Sequence, residues 1–96
     1  FTTTFQSKFG PEKWVGPSTV DYVADLVDRG KEHIAVVAPA FSADCVETLE
    51  EINQEIAESF EEAGGKTFLY IPCLNDRDDH IKALIKIIEN ELAGWI

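Results

Sequence analysis

The amino-acid sequence predicts an α/β fold, and three observations carry that prediction. Residues 34–38 (IAVVA) and 67–71 (TFLYI) are short, continuous apolar runs, each closed by a proline, as suits parallel strands covered on both faces. Segments with apolar residues at helical spacing stand before, between and after them. The crossovers are about a dozen residues or longer, which requires parallel pairing, right-handed connections and helices on both faces of the sheet. In chain order the elements read strand, loop, helix, strand, helix, strand, helix.

Phe1, Thr3 and Phe5 alternate with Thr2, Thr4 and Gln6, a period-two pattern that predicts a strand over residues 1–6. Residues 7–18 contain two Gly-Pro dipeptides bracketing Trp14 and read as a loop, because Pro fixes φ and removes a donor. In such a loop Trp14 is either a plug over the local core or an aromatic wall for a ligand, and packing favours the plug. Ser18 or Thr19 caps a helix with Val20, Val23, Ala24 and Val27 on one side and Gly30 at its end.

After the strand at 34–38, Asp44 and Glu47 stand as N-cap and N3 of the next helix, a D-x-x-E capping arrangement. Its expected apolar side is Val46, Leu49, Ile52, Ile56 and Phe60, and Gly64 and Gly65 end it. Beyond the strand at 67–71 and the loop at 72–77, a last helix carries Ile81, Leu84, Ile85, Ile88 and Leu92 as one stripe, with Asp76 or Asp78 as N-cap. Ligands of such sheets bind beyond the carboxyl ends of the strands. Segments 7–18, 39–44 and 72–77 are expected to meet there.

At 96 residues the chain is one domain at most. It begins at Phe1, partway into a strand pattern, and reads as a fragment of a longer protein. Its longest apolar runs are about five residues, far below the roughly 18 a membrane span needs. No signal or lipidation motif is present, so a cytoplasmic location is expected. There is no GxGxxG and no P-loop to support nucleotide binding. Cys45 and Cys73 lie apart without a CxxC pair and read as free thiols. The formal charge of -10 repels nucleic acid and anionic lipid and attracts cations or basic surfaces.

The charge is concentrated in one helix. Asp44, Glu47, Glu50, Glu51, Glu55, Glu58, Glu61 and Glu62 fall in an interval, Lys31 to Lys66, that contains no other Lys or Arg. Glu47, Glu51, Glu55, Glu58 and Glu62 share an arc of about 80° at 100° per residue. A solvated face normally interleaves Lys or Arg at i+4, whereas like-charge pairs there cost roughly 0.2–0.5 kcal/mol each. A bound cation or protonated substrate would relieve that repulsion. Glu47 falls at the strand-end rim, where partial desolvation would raise its pKa toward neutrality. Glu58 and Glu62 read as solvent-facing, as do His33 and His80.

Two stretches, TFQSKFGPEKWVGPST at 4–19 and AFSADCVETLEE at 40–51, together with YIPCLND at 70–76, make the chain similar to the C-terminal part of ferrochelatase. The resemblance extends over essentially all 96 residues. It implies a Rossmann-like half of a two-domain enzyme that inserts ferrous iron into a porphyrin held in the cleft between its halves. By position it implies Glu47 as the catalytic glutamate and Glu47, Glu51, Glu55 and Asp44 as a metal or proton row on a helix with a widened, π-type turn. It further implies Trp14, Phe41 and Ser7 as porphyrin-binding residues, which replaces the plug reading of Trp14.

The implied substrates are ferrous iron and porphyrin, with no tightly bound cofactor. A [2Fe-2S] cluster needs four ligands and two cysteines are too few. The implied partner is the N-terminal half of the same chain, which carries the family's catalytic histidine; neither His33 nor His80 replaces it. Peripheral association of the whole enzyme with the inner membrane is left open. Two alternatives stand beside this: a non-catalytic acidic module for metal buffering or protein interaction, and a relative acting on another tetrapyrrole and metal.

Overall fold

The computed structural model describes residues 1–95. Its elements are α1 (Thr19–Asp28), β1 (His33–Val37), a π-helical segment (Glu47–Ile56) continuous with α2 (Ala57–Glu62), β2 (Thr67–Ile71) and α3 (Asp78–Glu91). β1 and β2 pair in parallel, with His33 opposite Thr67 and Val37 opposite Ile71, so the α/β class and the parallel sheet are as expected.

The core lies on one side of this pair. Val23 of α1, Ile52, Ile56 and Phe60 of the acidic helix and Tyr70 of β2 are buried together, with Val27, Ile34, Val36, Ala38 and Phe68 packed against them. The Phe60 and Phe68 rings meet at a tilt, 6.0 Å between centroids. Both strands alternate in burial, because α1 and the acidic helix cover only one face. Val37, Leu69 and Ile71 on the other face are exposed, where helices on both faces were expected.

The helix expected to cover that second face stands away from it. No residue of α3 is buried, and Ile81, Ile85, Ile88 and Leu92 of its apolar stripe are open to solvent. The radius of gyration is accordingly 16.9 Å, against about 13 Å for a compact chain of this length. α3 starts after Arg77, with no side-chain cap from Asp76 or Asp78; Arg77 instead grips Asp79 through two nitrogens.

The first six residues form no strand. Phe5 makes one isolated parallel bridge to Ser18, and Ser18 leads directly into α1, so the extended segment has no ladder to join. α2 ends as predicted. Gly64, at φ +108, donates to the Glu61 carbonyl while Gly65 donates to that of Phe60, the paired bonds of a Schellman motif.

The acidic helix departs from ideal α geometry. Ala57 N–H reaches the Ile52 carbonyl, an i→i+5 bond that widens the coil. Buried positions therefore recur every four residues, at Thr48, Ile52, Ile56 and Phe60. Val46 and Leu49, expected on the apolar side, are exposed: at 100° per residue Leu49 falls about 60° from Ile52 and Val46 about 120°, and the wider coil turns Leu49 further out.

Candidate functional site

Between the 6–18 loop and the acidic helix lies a cleft of about 430 Å³, lined by Ser7, Lys8, Lys13, Trp14, Glu51 and Glu55 among others. The bridge at Phe5 closes the loop at its base, with Phe5 N–H on the Pro17 carbonyl and Thr19 N–H on that of Phe5, both at 2.9 Å. The chain then lies along the helix. Gln6 Nε2 donates to the Glu47 carbonyl at 2.8 Å. Ser7, turned into the left-handed region at φ 60, gives its N–H and its hydroxyl to the two Glu51 oxygens at 2.7 and 2.6 Å.

Trp14 forms another part of this wall. It is 40% exposed, and its indole N–H is fixed on the Phe9 carbonyl at 2.8 Å. A plug over the core would be buried, whereas this ring presents a face to the cleft. Glu47, Glu51 and Glu55 are spaced four apart, each immediately before a buried residue (Thr48, Ile52, Ile56). The widened coil thus keeps the three carboxylates in a line along the edge of the packed face. Among the described residues the ion pairs are Arg29–Asp25, Lys66–Glu32 and Arg77–Asp79, none of which involves this row; Lys8 and Lys13 line the cleft beside it.

Asp44 is placed differently from the other acids. Its Oδ1 accepts from Tyr70 OH and from Thr48 Oγ1, its Oδ2 from Asn75 Nδ2, and its own N–H donates to Asn75 Oδ1. The Tyr70 hydroxyl first, then the Asn75 amide and Thr48, hold this carboxyl far below the usual range. Tyr70 is shifted the opposite way, by burial and by the Asp44 anion beside it. The expected Asp44–Glu47 capping box does not form, since Thr48 sits where Glu47 was expected and its hydroxyl accepts the Cys45 N–H at 2.9 Å.

Thr48 is fully buried. Thr48→Val should cost about 1–3 kcal/mol, since it leaves the Cys45 N–H unpaired and removes a donor from Asp44. Chemical denaturation would register this as a lower midpoint at unchanged slope.

Glu47 is exposed, and its carboxylate accepts from the Cys45 thiol at 3.0 Å. That thiol, followed by the residue's own backbone N–H, lowers its pKa. A raised value was expected from desolvation; here the side chain keeps its water and gains donors, and both favour the charged form. Phe41 is half-buried after β1, its N–H on the Ala38 carbonyl, and lies outside the cleft lining. His80, expected at the surface, is half-buried against the Asn75 carbonyl and Ser42. Cys45 and Cys73 are free thiols.

Comparison with known proteins decides the family. The ferrochelatase family model matches residues 1–92. The chain belongs to the ferrochelatase family. It is similar to ferrochelatase of Rhodobacter capsulatus, at 63% identity over 98% of this chain and 27% of that protein. With ferrochelatase of Hydrogenovibrio crunogenus the identity is 56%, over 99% of the chain and 25% of the relative. With that of Rhizobium etli it is 52%, over the whole chain and 28% of the relative. The chain thus spans about a quarter of the length of these ferrochelatases.

Within this ferrochelatase segment, Ser7, Trp14, Glu51 and Glu55 converge on one cleft, Glu47 adjoins it through Gln6, and Asp44 and Phe41 stand apart. Gln6, Thr48, Tyr70 and Asn75 carry the hydrogen bonds that hold the site, and residue type alone did not single them out. A tyrosine inside an apolar strand run was a signal for Tyr70, because a buried phenol needs a partner.

Proposed function

We propose that this segment forms one wall of the porphyrin cleft of a ferrochelatase, inserting ferrous iron into protoporphyrin IX to give protoheme in heme biosynthesis. The observation that carries the reading is the carboxylate row Glu47, Glu51, Glu55, without an ion pair among the described residues, running beside an aromatic-walled cleft that contains Trp14 and Ser7.

Insertion of a dication into a neutral porphyrin expels two pyrrole protons, so a held macrocycle needs an acceptor close by. Glu47, ionised at neutral pH, is the catalytic acceptor. Glu47, Glu51 and Glu55 pass the metal or the released protons along the row, while Trp14 and Ser7, which line the cleft, bind the macrocycle; Phe41, expected to share that task, lies outside this cleft and is given no contact in this reading. Ser7 has a second task, since its two bonds fix the Glu51 carboxylate. Asp44, expected at the head of the metal row, has both oxygens engaged by Tyr70, Thr48 and Asn75 and takes no metal in this reading.

The partner is the rest of the enzyme chain, which completes the cleft and the activity; iron and porphyrin are substrates, and no tightly bound cofactor is required. No described helix is long and apolar enough to cross a membrane. Separately, a cytoplasmic location with peripheral contact at the inner membrane is part of this proposal.

Metallation of free-base porphyrin by the complete enzyme, followed as loss of porphyrin fluorescence, tests the reading; an enzyme that binds porphyrin and never metallates it would refute it. Glu58 is exposed on α2 and is not among the residues lining the cleft, so Glu58→Gln should alter turnover by less than about twofold, as a surface substitution does. A severe loss there would mean that the functional row extends further along the helix.

A further inference from the structure

One side chain of the loop after β2 holds the start of the acidic helix. Asn75 meets Asp44 with both ends of its amide: Oδ1 accepts the Asp44 N–H at 2.8 Å, and Nδ2 donates to Asp44 Oδ2 at 2.8 Å and to the Cys73 carbonyl at 3.1 Å. Backbone and side chain of Asp44 are therefore fixed together. The Asn75 backbone is fixed as well. Its φ is 50, in the left-handed region that asparagine enters more readily than most residues. Its N–H donates to the Ser42 carbonyl at 3.1 Å, and its carbonyl accepts from His80 Nδ1 at 2.6 Å.

From Asp44 the contacts continue toward the catalytic side. Asp44 Oδ1 accepts from the buried Thr48 hydroxyl at 2.9 Å, and Thr48 stands in the first turn of the π-helical segment. The same hydroxyl accepts the Cys45 N–H, and the Cys45 thiol donates to Glu47 Oε2 at 3.0 Å. Asn75, Asp44, Thr48, Cys45 and Glu47 thus form one connected series, and Gln6 Nε2 holds the Glu47 carbonyl.

We infer that Asn75 is a positioning residue for Glu47, acting through Asp44 and Thr48. The inference rests on the reading of Glu47 as proton acceptor. A group that takes protons from a fixed macrocycle must itself be fixed, and a misplacement of about 1 Å can cost on the order of 100-fold in rate.

Asn75→Gly isolates the side chain, because glycine adopts the left-handed backbone freely. In the complete enzyme its kcat for zinc insertion should fall by about 10- to 100-fold, with the porphyrin KM unchanged. Placed on Glu47→Gln, it should produce no additional loss, since two changes acting through one group are not additive. Near-normal kcat in Asn75→Gly, or an equal fractional loss with and without Glu47, would overturn the inference.

Should Asn75→Gly not fold, the Thr48 pair decides. Thr48→Ser keeps the hydroxyl and should restore the kcat that Thr48→Val loses; equal rates in the two would overturn the series. Near-normal turnover in Glu47→Gln itself would instead show that the catalytic reading has failed.

Discussion

Gly65→Ala should destabilise the folded segment by about 1–3 kcal/mol, the usual cost of forcing extra volume into a packed core. A Cβ at this position would fall against the Cδ1, Cε1 and Cζ edge of the Phe60 ring, inside van der Waals contact. The ring cannot readily move aside. Phe60 is 1% exposed and is held between the helix backbone and Phe68. Gly65 also follows the left-handed Gly64 and closes the helix on the Phe60 carbonyl, so a shift of the backbone would break the terminating bond. Equilibrium denaturation measures the loss. In a Phe60→Leu background the clash partner is smaller, and the added cost of Gly65→Ala should shrink, a coupling expected of residues in contact. An undiminished cost would place the strain elsewhere.

This glycine illustrates how far the sequence could be read. Its role as a helix terminator followed from the Gly64-Gly65 pair; its close approach to Phe60 required knowing where β2 returns. β2 was legible to the residue, since a short β-branched and aromatic run bounded by Gly and Pro has few other solutions. Residues 1–6 show the same period-two signal without a strand, because the pattern selects an extended backbone and only a neighbour supplies the ladder. The α3 stripe likewise marked an apolar face without showing what covers it.

The candidate site divides in the same way. Its carboxylates and Trp14 were visible through residue type, charge and family resemblance. Two features depended on backbone geometry that a 3.6-residue period does not express. The widened coil turns Leu49 out of the core and keeps Thr48, four residues before Ile52, inside it. With Thr48 inside, Asp44 finds Tyr70 and Asn75 as partners in place of the expected capping arrangement, and the environment of Glu47 is set by Cys45 and by solvent, not by desolvation.

Glu47→Gln carries the largest expected effect on activity. Glutamine keeps the length of the side chain and can still accept from the Cys45 thiol, so the local fold should hold. It removes the negative charge and the proposed proton acceptor at the N-terminal end of the row, beside the cleft that Glu51 and Glu55 line. Under the proposed function porphyrin binding rests on Trp14 and the other walls and should persist, while proton removal from the macrocycle would lose its acceptor, an effect worth about 10²–10⁴-fold in rate. In this reading Glu51 and Glu55 pass protons or metal on along the row and are not the first acceptor, so they do not replace Glu47.

The most direct measurement is therefore kcat for metal insertion by the complete Glu47→Gln enzyme, made alongside its porphyrin dissociation constant and the kcat of Glu58→Gln. The expected result is a loss of at least about 100-fold at Glu47, with porphyrin affinity retained and Glu58→Gln close to the parent enzyme. Near-parental turnover in Glu47→Gln, or equal losses at the two positions, would contradict the assignment of this row as the working edge of the cleft.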